Sequence, residues 1–116
     1  MTMHTGSCHC GAVRYEVDGQ FEKLLECNCS HCSRKGLLLF FVPSDALRIT
    51  AGADQLTTYT FYKHVIRHQF CRTCGVEPFA LGRMPDGKPI AAINARCLEG
   101  IELVDFERTP VNGREF

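Results

Sequence analysis

Apolar and polar residues alternate through Val13-Arg14-Tyr15-Glu16-Val17, and the alternation stops at Asp18-Gly19. A period of two predicts a strand with one buried face, and Asp-Gly is a strong turn dipeptide. Lys23 to Glu26 reads as a short strand running into a group of cysteines. Leu37 to Val42 is a continuous apolar run of strand length, closed by Pro43-Ser44-Asp45. Leu47 to Thr50 follows, with a turn at Ala51-Gly52-Ala53-Asp54. Leu56 to Tyr62 is rich in threonine and aromatic residues, which suit a pleated surface, and Val65 to Phe70 can pair with it. Phe79 to Arg83 and Ile90 to Asn94 flank Pro85-Asp86-Gly87-Lys88, a hairpin signal. Ile101 to Phe106 reads as a last strand. Helix is expected only as single turns, at Ser30 to Arg34 and at Ser44 to Leu47. Short strands with frequent turns predict an all-β fold, an antiparallel sandwich or curled sheet.

Length and charge narrow the picture. The chain has 116 residues, which suits one domain over residues 1–116. Thirteen basic residues balance thirteen acidic ones. No large positive footprint for DNA or RNA is expected, so nucleic acid is not the expected partner. The longest apolar run, Leu37 to Val42, falls far short of the ~20 residues a membrane helix needs. Met1 to Gly6 is polar, without the apolar stretch of a signal segment, and reads as a tail that includes His4. A cytoplasmic location with no membrane association is the expectation.

Eight cysteines change the picture more. Seven fall into three clusters, Cys8-His9-Cys10-Gly11, Cys27-Asn28-Cys29-Ser30-His31-Cys32 and Cys71-Arg72-Thr73-Cys74-Gly75, while Cys97 stands alone. At Cys-x-x-Cys spacing one tight turn aims two sulfurs at a single ion, and Cys-x-Cys does so when the chain bends sharply. Gly11 and Gly75 follow the second cysteine, where the turn calls for a left-handed backbone. Cys8, Cys10, Cys71 and Cys74 together make a four-sulfur tetrahedral site. Such a site is saturated, so its expected role is a structural zinc that closes a long loop. Small β domains often need such a staple. Cys27, Cys29 and Cys32 offer three ligands, which leaves a fourth position open, the mark of a reactive zinc. A thiol arriving there would lose its proton. Two zinc ions per chain are expected, the second held by fewer ligands and so only partly occupied.

Competing readings stand beside these. The four-cysteine set could form disulfides, although the absence of a signal segment and the strain of bridging Cys8 to Cys10 argue against that. An iron–sulfur cluster uses different cysteine runs. The middle trio could be a second structural zinc completed by His31, Cys97 or a partner chain, or a trio without metal. Cys97 alone reads as a small buried apolar residue. His9, His64 and His68 read as surface or sheet residues.

The motifs resemble a known family. Cys8-x-Cys10-Gly11-x-x-x-Tyr15 resembles the opening of the glutathione-dependent formaldehyde-activating enzymes, a family that also includes centromere protein V. Cys27-Asn28-Cys29-Ser30-His31-Cys32-Ser33-Arg34-Lys35-Gly36 is similar to its middle motif, with one extra residue before the basic pair. Phe70-Cys71-x-x-Cys74-Gly75 and Asn94-x-Arg96-Cys97-Leu98 resemble its third and closing motifs. The resemblance implies a β-tent fold of antiparallel sheets. It implies structural zinc at Cys8, Cys10, Cys71 and Cys74, and reactive zinc at Cys27, Cys29 and Cys32. The implied chemistry is carbon–sulfur lyase chemistry run toward condensation. Glutathione, or another small thiol, adds to formaldehyde or a related small aldehyde. Arg34, Lys35 and Arg67 are candidates for offsetting the negative charge of a three-thiolate zinc or for holding glutathione's carboxylates. The alternatives are a zinc-stapled binding module without chemistry, and a thiol-based sensor whose middle trio oxidises or exchanges metal.

Overall fold

The computed structural model describes residues 2–115. Ten strands run in chain order: β1 (Met3–Ser7), β2 (Arg14–Asp18), β3 (Lys23–Cys27), β4 (Leu39–Pro43), β5 (Leu47–Ala51), β6 (Leu56–Tyr59), β7 (Arg67–Cys71), β8 (Phe79–Arg83), β9 (Pro89–Asn94) and β10 (Glu107–Val111). One short helix, α1 (Ser30–Lys35), and several 3-10 turns complete the described chain. The strands form two sheets, β1-β2-β5 and β10-β3-β4-β9-β8-β7-β6. The fold is all-β, as the alternation predicts. Pairing is antiparallel throughout, except that β10 runs parallel to β3.

The core lies where the inner faces of the two sheets meet. Tyr15 and Val17 of β2 point inward onto Phe79, Ile93 and Leu24, all close to fully buried. Tyr15 meets the Phe79 ring edge-on, with centroids 5.4 Å apart. The apolar run around β4 serves two faces at once. Leu38, Phe40 and Val42 enter the main core, whereas Leu37 and Leu39 pack beside Cys32, Leu25 and Cys29. A strand that is apolar on both sides therefore joins the core to a cysteine cluster. Each buried leucine stabilises the fold by about 1.5–3 kcal/mol.

Three expectations need correction. Met3–Ser7 is not a tail: it is a strand paired with β2, and the His4 ring packs against Phe21 with centroids 5.4 Å apart. The polar composition hid it, because this outer strand buries little beyond Gly6. Ile101–Phe106 is not the last strand. Leu103–Asp105 is a 3-10 turn, and the strand comes later, at Glu107–Val111. β10 lacks an apolar alternation and contains Pro110, features tolerated at a sheet edge. Its order comes from pairing with β3, not from its own pattern. The strand expected to reach Tyr62 ends at Tyr59, before Tyr62 and His64 adopt positive φ angles.

Candidate metal centres

The first site forms at the ends of β1 and β7. After β1 the chain turns back at once: Gly11 N–H donates to the Cys8 carbonyl (3.3 Å), and Gly11 has φ +82°. After β7 the Gly75 N–H donates to the Cys71 carbonyl (2.8 Å), with φ +79°. A left-handed residue is what glycine supplies at such turns. The backbone N–H groups of Val13 and Thr73 donate to the sulfurs of Cys8 (3.3 Å) and Cys71 (3.4 Å). The ligand atoms of Cys8, Cys10, Cys71 and Cys74 all lie within 4.8 Å of one another.

The separations identify what the cluster suits. Cys10 Sγ is 3.6 Å from Cys8 Sγ and 3.7 Å from Cys71 Sγ. A disulfide holds its sulfurs at about 2.05 Å, so these are free thiols, as are all eight cysteines. Four sulfurs at about 2.3 Å from a tetrahedral zinc lie about 3.8 Å apart. The cluster already has nearly that edge length. Its protons are unevenly shared. For Cys74, burial opposes ionisation, but N–H donors from Val76 and Cys10 and the neighbouring thiols outweigh it and bring the pKa to about 6. For Cys10 a backbone hydrogen bond at Ala12 favours the thiolate. Burial and the other three thiols prevail and raise the pKa to about 11. A bound dication would remove this competition by favouring every thiolate.

The second site forms where β3 meets α1. Cys27 ends β3, and Cys29 is the N-cap of α1, its sulfur accepting the Cys32 N–H at 3.3 Å. Cys32 lies one turn on and is buried. The Cys29 N–H in turn faces Cys27 Sγ at 3.5 Å. The three ligand atoms lie within 4.8 Å of one another, and among the described residues this group closes at three. Burial works against the Cys29 thiolate, but the Cys32 and His31 backbone donors and the adjacent thiols hold its pKa below the ordinary thiol value. Cys32 is pushed up by burial and by the two neighbouring sulfurs.

Cys27 and Cys32 line an open cavity of about 450 Å³, together with Asn28, Ser33, Arg96 and Asn112. The C-terminal segment forms one wall. Arg114 Nε donates to the Asn28 carbonyl (3.1 Å), and Asn28 Nδ2 donates to Asn112 Oδ1 (3.0 Å). Arg96 is held by a bond from its Nε to the Gly36 carbonyl (2.9 Å).

The other residues singled out in the sequence lie elsewhere. Arg34 and Lys35 do not face this cavity: with His31, Tyr59 and Phe61 they line a second depression, on the opposite flank of α1. Arg67 is exposed on β7. Arg96 takes the place beside the sulfurs that those three were expected to fill. Its only signal in the sequence is its position in Asn94-x-Arg96-Cys97. His31 is not with the three sulfurs; its Nε2 faces Glu77 Oε1 at 3.6 Å. Burial, and then the nearby His68, hold its pKa below that of an ordinary imidazole against the pull of Glu77. Cys97 also stands apart, near the Glu77 carbonyl and the Asn94 amide. His9 and His64 are exposed. His68 lies in a strand as expected, but it is buried and bonds Glu77 Oε2 at 2.9 Å. The burial of Glu77 was not legible in the sequence, because nothing near it announces a buried carboxylate.

Two comparisons bear on this arrangement. Residues 3–107 match the sequence profile of the family described as glutathione-dependent formaldehyde-activating enzyme. The fold is similar to the crystal structure of a Rhodobacter sphaeroides protein, a Northeast Structural Genomics target. Sequence identity is 34% and the TM-score 0.79, over 90% of this chain and 99% of that one.

Proposed function

Because the chain belongs to the glutathione-dependent formaldehyde-activating enzyme family, we propose that it is a zinc-dependent enzyme of carbon–sulfur lyase type. Its substrates are a small thiol such as glutathione and formaldehyde or a related aldehyde. Cys8, Cys10, Cys71 and Cys74 hold a structural zinc, and Cys27, Cys29 and Cys32 hold the reactive one. The observation that carries this reading is the three-thiol cluster opening onto a cavity that also contains Arg96. Had a fourth protein ligand closed the trio, a purely structural role would be favoured.

A zinc ion held by Cys27, Cys29 and Cys32 would supply a Lewis acid that favours the thiolate of an incoming thiol. The chain's own residues do the rest. Cys27, Cys29 and Cys32 fix the ligand geometry through the end of β3 and the first turn of α1. Arg96, braced on the Gly36 carbonyl, offers its free guanidinium nitrogens to a carboxylate of the thiol substrate. Asn28 and Asn112 supply amide groups along the same wall. In the reaction the thiol sulfur bonds to the aldehyde carbon and the carbonyl π bond opens onto oxygen. The proton lost by the thiol ends on that oxygen, giving an S-hydroxymethyl adduct.

The test is exchange NMR of formaldehyde and glutathione with their adduct, using zinc-loaded wild type and Cys29→Ser against the uncatalysed rate. Serine is itself a good N-cap, so this variant keeps α1 while removing a zinc ligand. Acceleration by wild type and none by Cys29→Ser is the expected result. Equal, uncatalysed rates in both would remove the glutathione assignment.

A further inference from the structure

α1 and its N-cap supply two of the three sulfurs, and what orients the helix lies on its other side. Its residues His31 and Lys35, one turn apart, both reach a single buried side chain. Glu77 is only 2% exposed; its Oε1 lies 3.6 Å from His31 Nε2 and 3.9 Å from Lys35 Nζ. Its other oxygen bonds His68 Nδ1 of β7 at 2.9 Å. Glu77 comes three residues after Cys74, in the segment that carries half of the four-sulfur cluster. Lys35 Nζ also donates to the Gly75 carbonyl there, at 3.4 Å. The Glu77 backbone is itself fixed, because the Asn94 amide donates to its carbonyl at 3.0 Å.

A carboxylate is costly to bury, and replacing a buried ion pair as a whole by well-packed apolar residues is often neutral or stabilising. Fold stability alone therefore gives little reason for Glu77. Its second oxygen has no hydrogen-bond partner among the described residues and faces His31 and Lys35 of α1. We propose that Glu77 is a positioning residue for the three-thiol centre. It acts through His31 and Lys35 to hold α1 at the angle that lets Cys29 and Cys32 share one ion with Cys27. The four-sulfur segment is thus the platform on which the second centre is aligned. This inference rests on the reading that Cys27, Cys29 and Cys32 bind zinc.

The test uses metal-loaded protein, with zinc affinity at each centre measured by chelator competition and the geometry read from the visible spectrum of cobalt(II) in its place. In Glu77→Gln, which keeps the shape but not the charge, zinc affinity at the three-thiol centre falls roughly tenfold and its cobalt bands shift. The four-thiol centre is unchanged. A merely structural role would lower the melting temperature and leave the saturated cobalt spectrum as it was; that spectrum with unaltered affinity overturns the inference. Should Glu77→Gln not fold, Lys35→Met decides instead: about threefold weaker zinc binding at the trio is expected, and no change overturns the inference. If the wild-type trio takes up neither zinc nor cobalt, the metal reading itself falls, and the inference with it.

Discussion

Gly113 stands against Cys27 so closely that a Cβ at this position would overlap the cysteine sulfur and press on Cys29 Cβ at 3.0 Å. The turn after β10 therefore seals one side of the three-thiol centre, and it does so only because residue 113 lacks a side chain. The neighbouring Arg114 and Asn112 fasten this turn to Asn28.

That contact predicts the outcome of Gly113→Ala. The methyl group must displace Cys27 Sγ or lift the C-terminal turn. Displacement of the sulfur is expected, with loss of one metal equivalent while the four-thiol centre keeps its own. Native mass spectrometry after mild chelation distinguishes the two stoichiometries; retention of both metals would show that the turn yields without disturbing Cys27.

Cys71 is fully buried and ends β7, so its loss reaches further. Structural zinc contributes about 10–16 kcal/mol to folding in small zinc domains, against a typical net stability of about 5–15 kcal/mol. Cys71→Ser is expected to leave the chain unfolded by far-ultraviolet circular dichroism, whereas Cys29→Ser stays folded. A folded Cys71→Ser protein with a cooperative melt would contradict the structural assignment.

Tyr15 poses the opposite case. Its ring is buried against Phe79, yet its hydroxyl has no hydrogen-bond partner among the described residues. Burial, with smaller contributions from Cys97 and Glu99, pushes its pKa upward. An unsatisfied buried hydroxyl costs about 1–3 kcal/mol. Tyr15→Phe is therefore expected to raise the melting temperature, and Tyr15→Ala to cost about 3–5 kcal/mol through the cavity it leaves. Denaturant titration of the two variants checks both signs.

Cys97 lies outside both sulfur clusters. Burial first, and then Cys8, Cys74 and Glu77, raise its pKa from the ordinary 9.0 to about 11. A raised thiol pKa means less thiolate at any pH below it. At pH 8, iodoacetamide should modify Cys97 more slowly than a free cysteine, because burial suppresses its thiolate. A reactivity midpoint near 9 would show that its surroundings do not suppress the thiolate.

Much of this protein is local and so is written in the chain. Alternation at Val13 to Val17 marks an inward face for Tyr15 and Val17, and the hairpin around Asp86-Gly87 pairs β8 with β9 as expected. Cysteine spacing with Gly11 and Gly75 places two sulfurs on each tight turn, since such turns are set by a few dihedral angles. Counting ligands then separates a group of four from a group of three, and the structure brings the same residues together. Tertiary structure alone decided the rest. β1 and β10 carry weak patterns of their own and exist because neighbours offer hydrogen-bonding edges. Arg96, Gly113 and Glu77 reach the three-thiol centre or its helix from positions 42 to 86 residues away from the cysteines and basic residues they serve. A periodic pattern records which face of a strand is buried, not which distant residue it meets. Pairings across such separations follow from sheet order and the packing of α1, and these are set by the whole chain's burial at once.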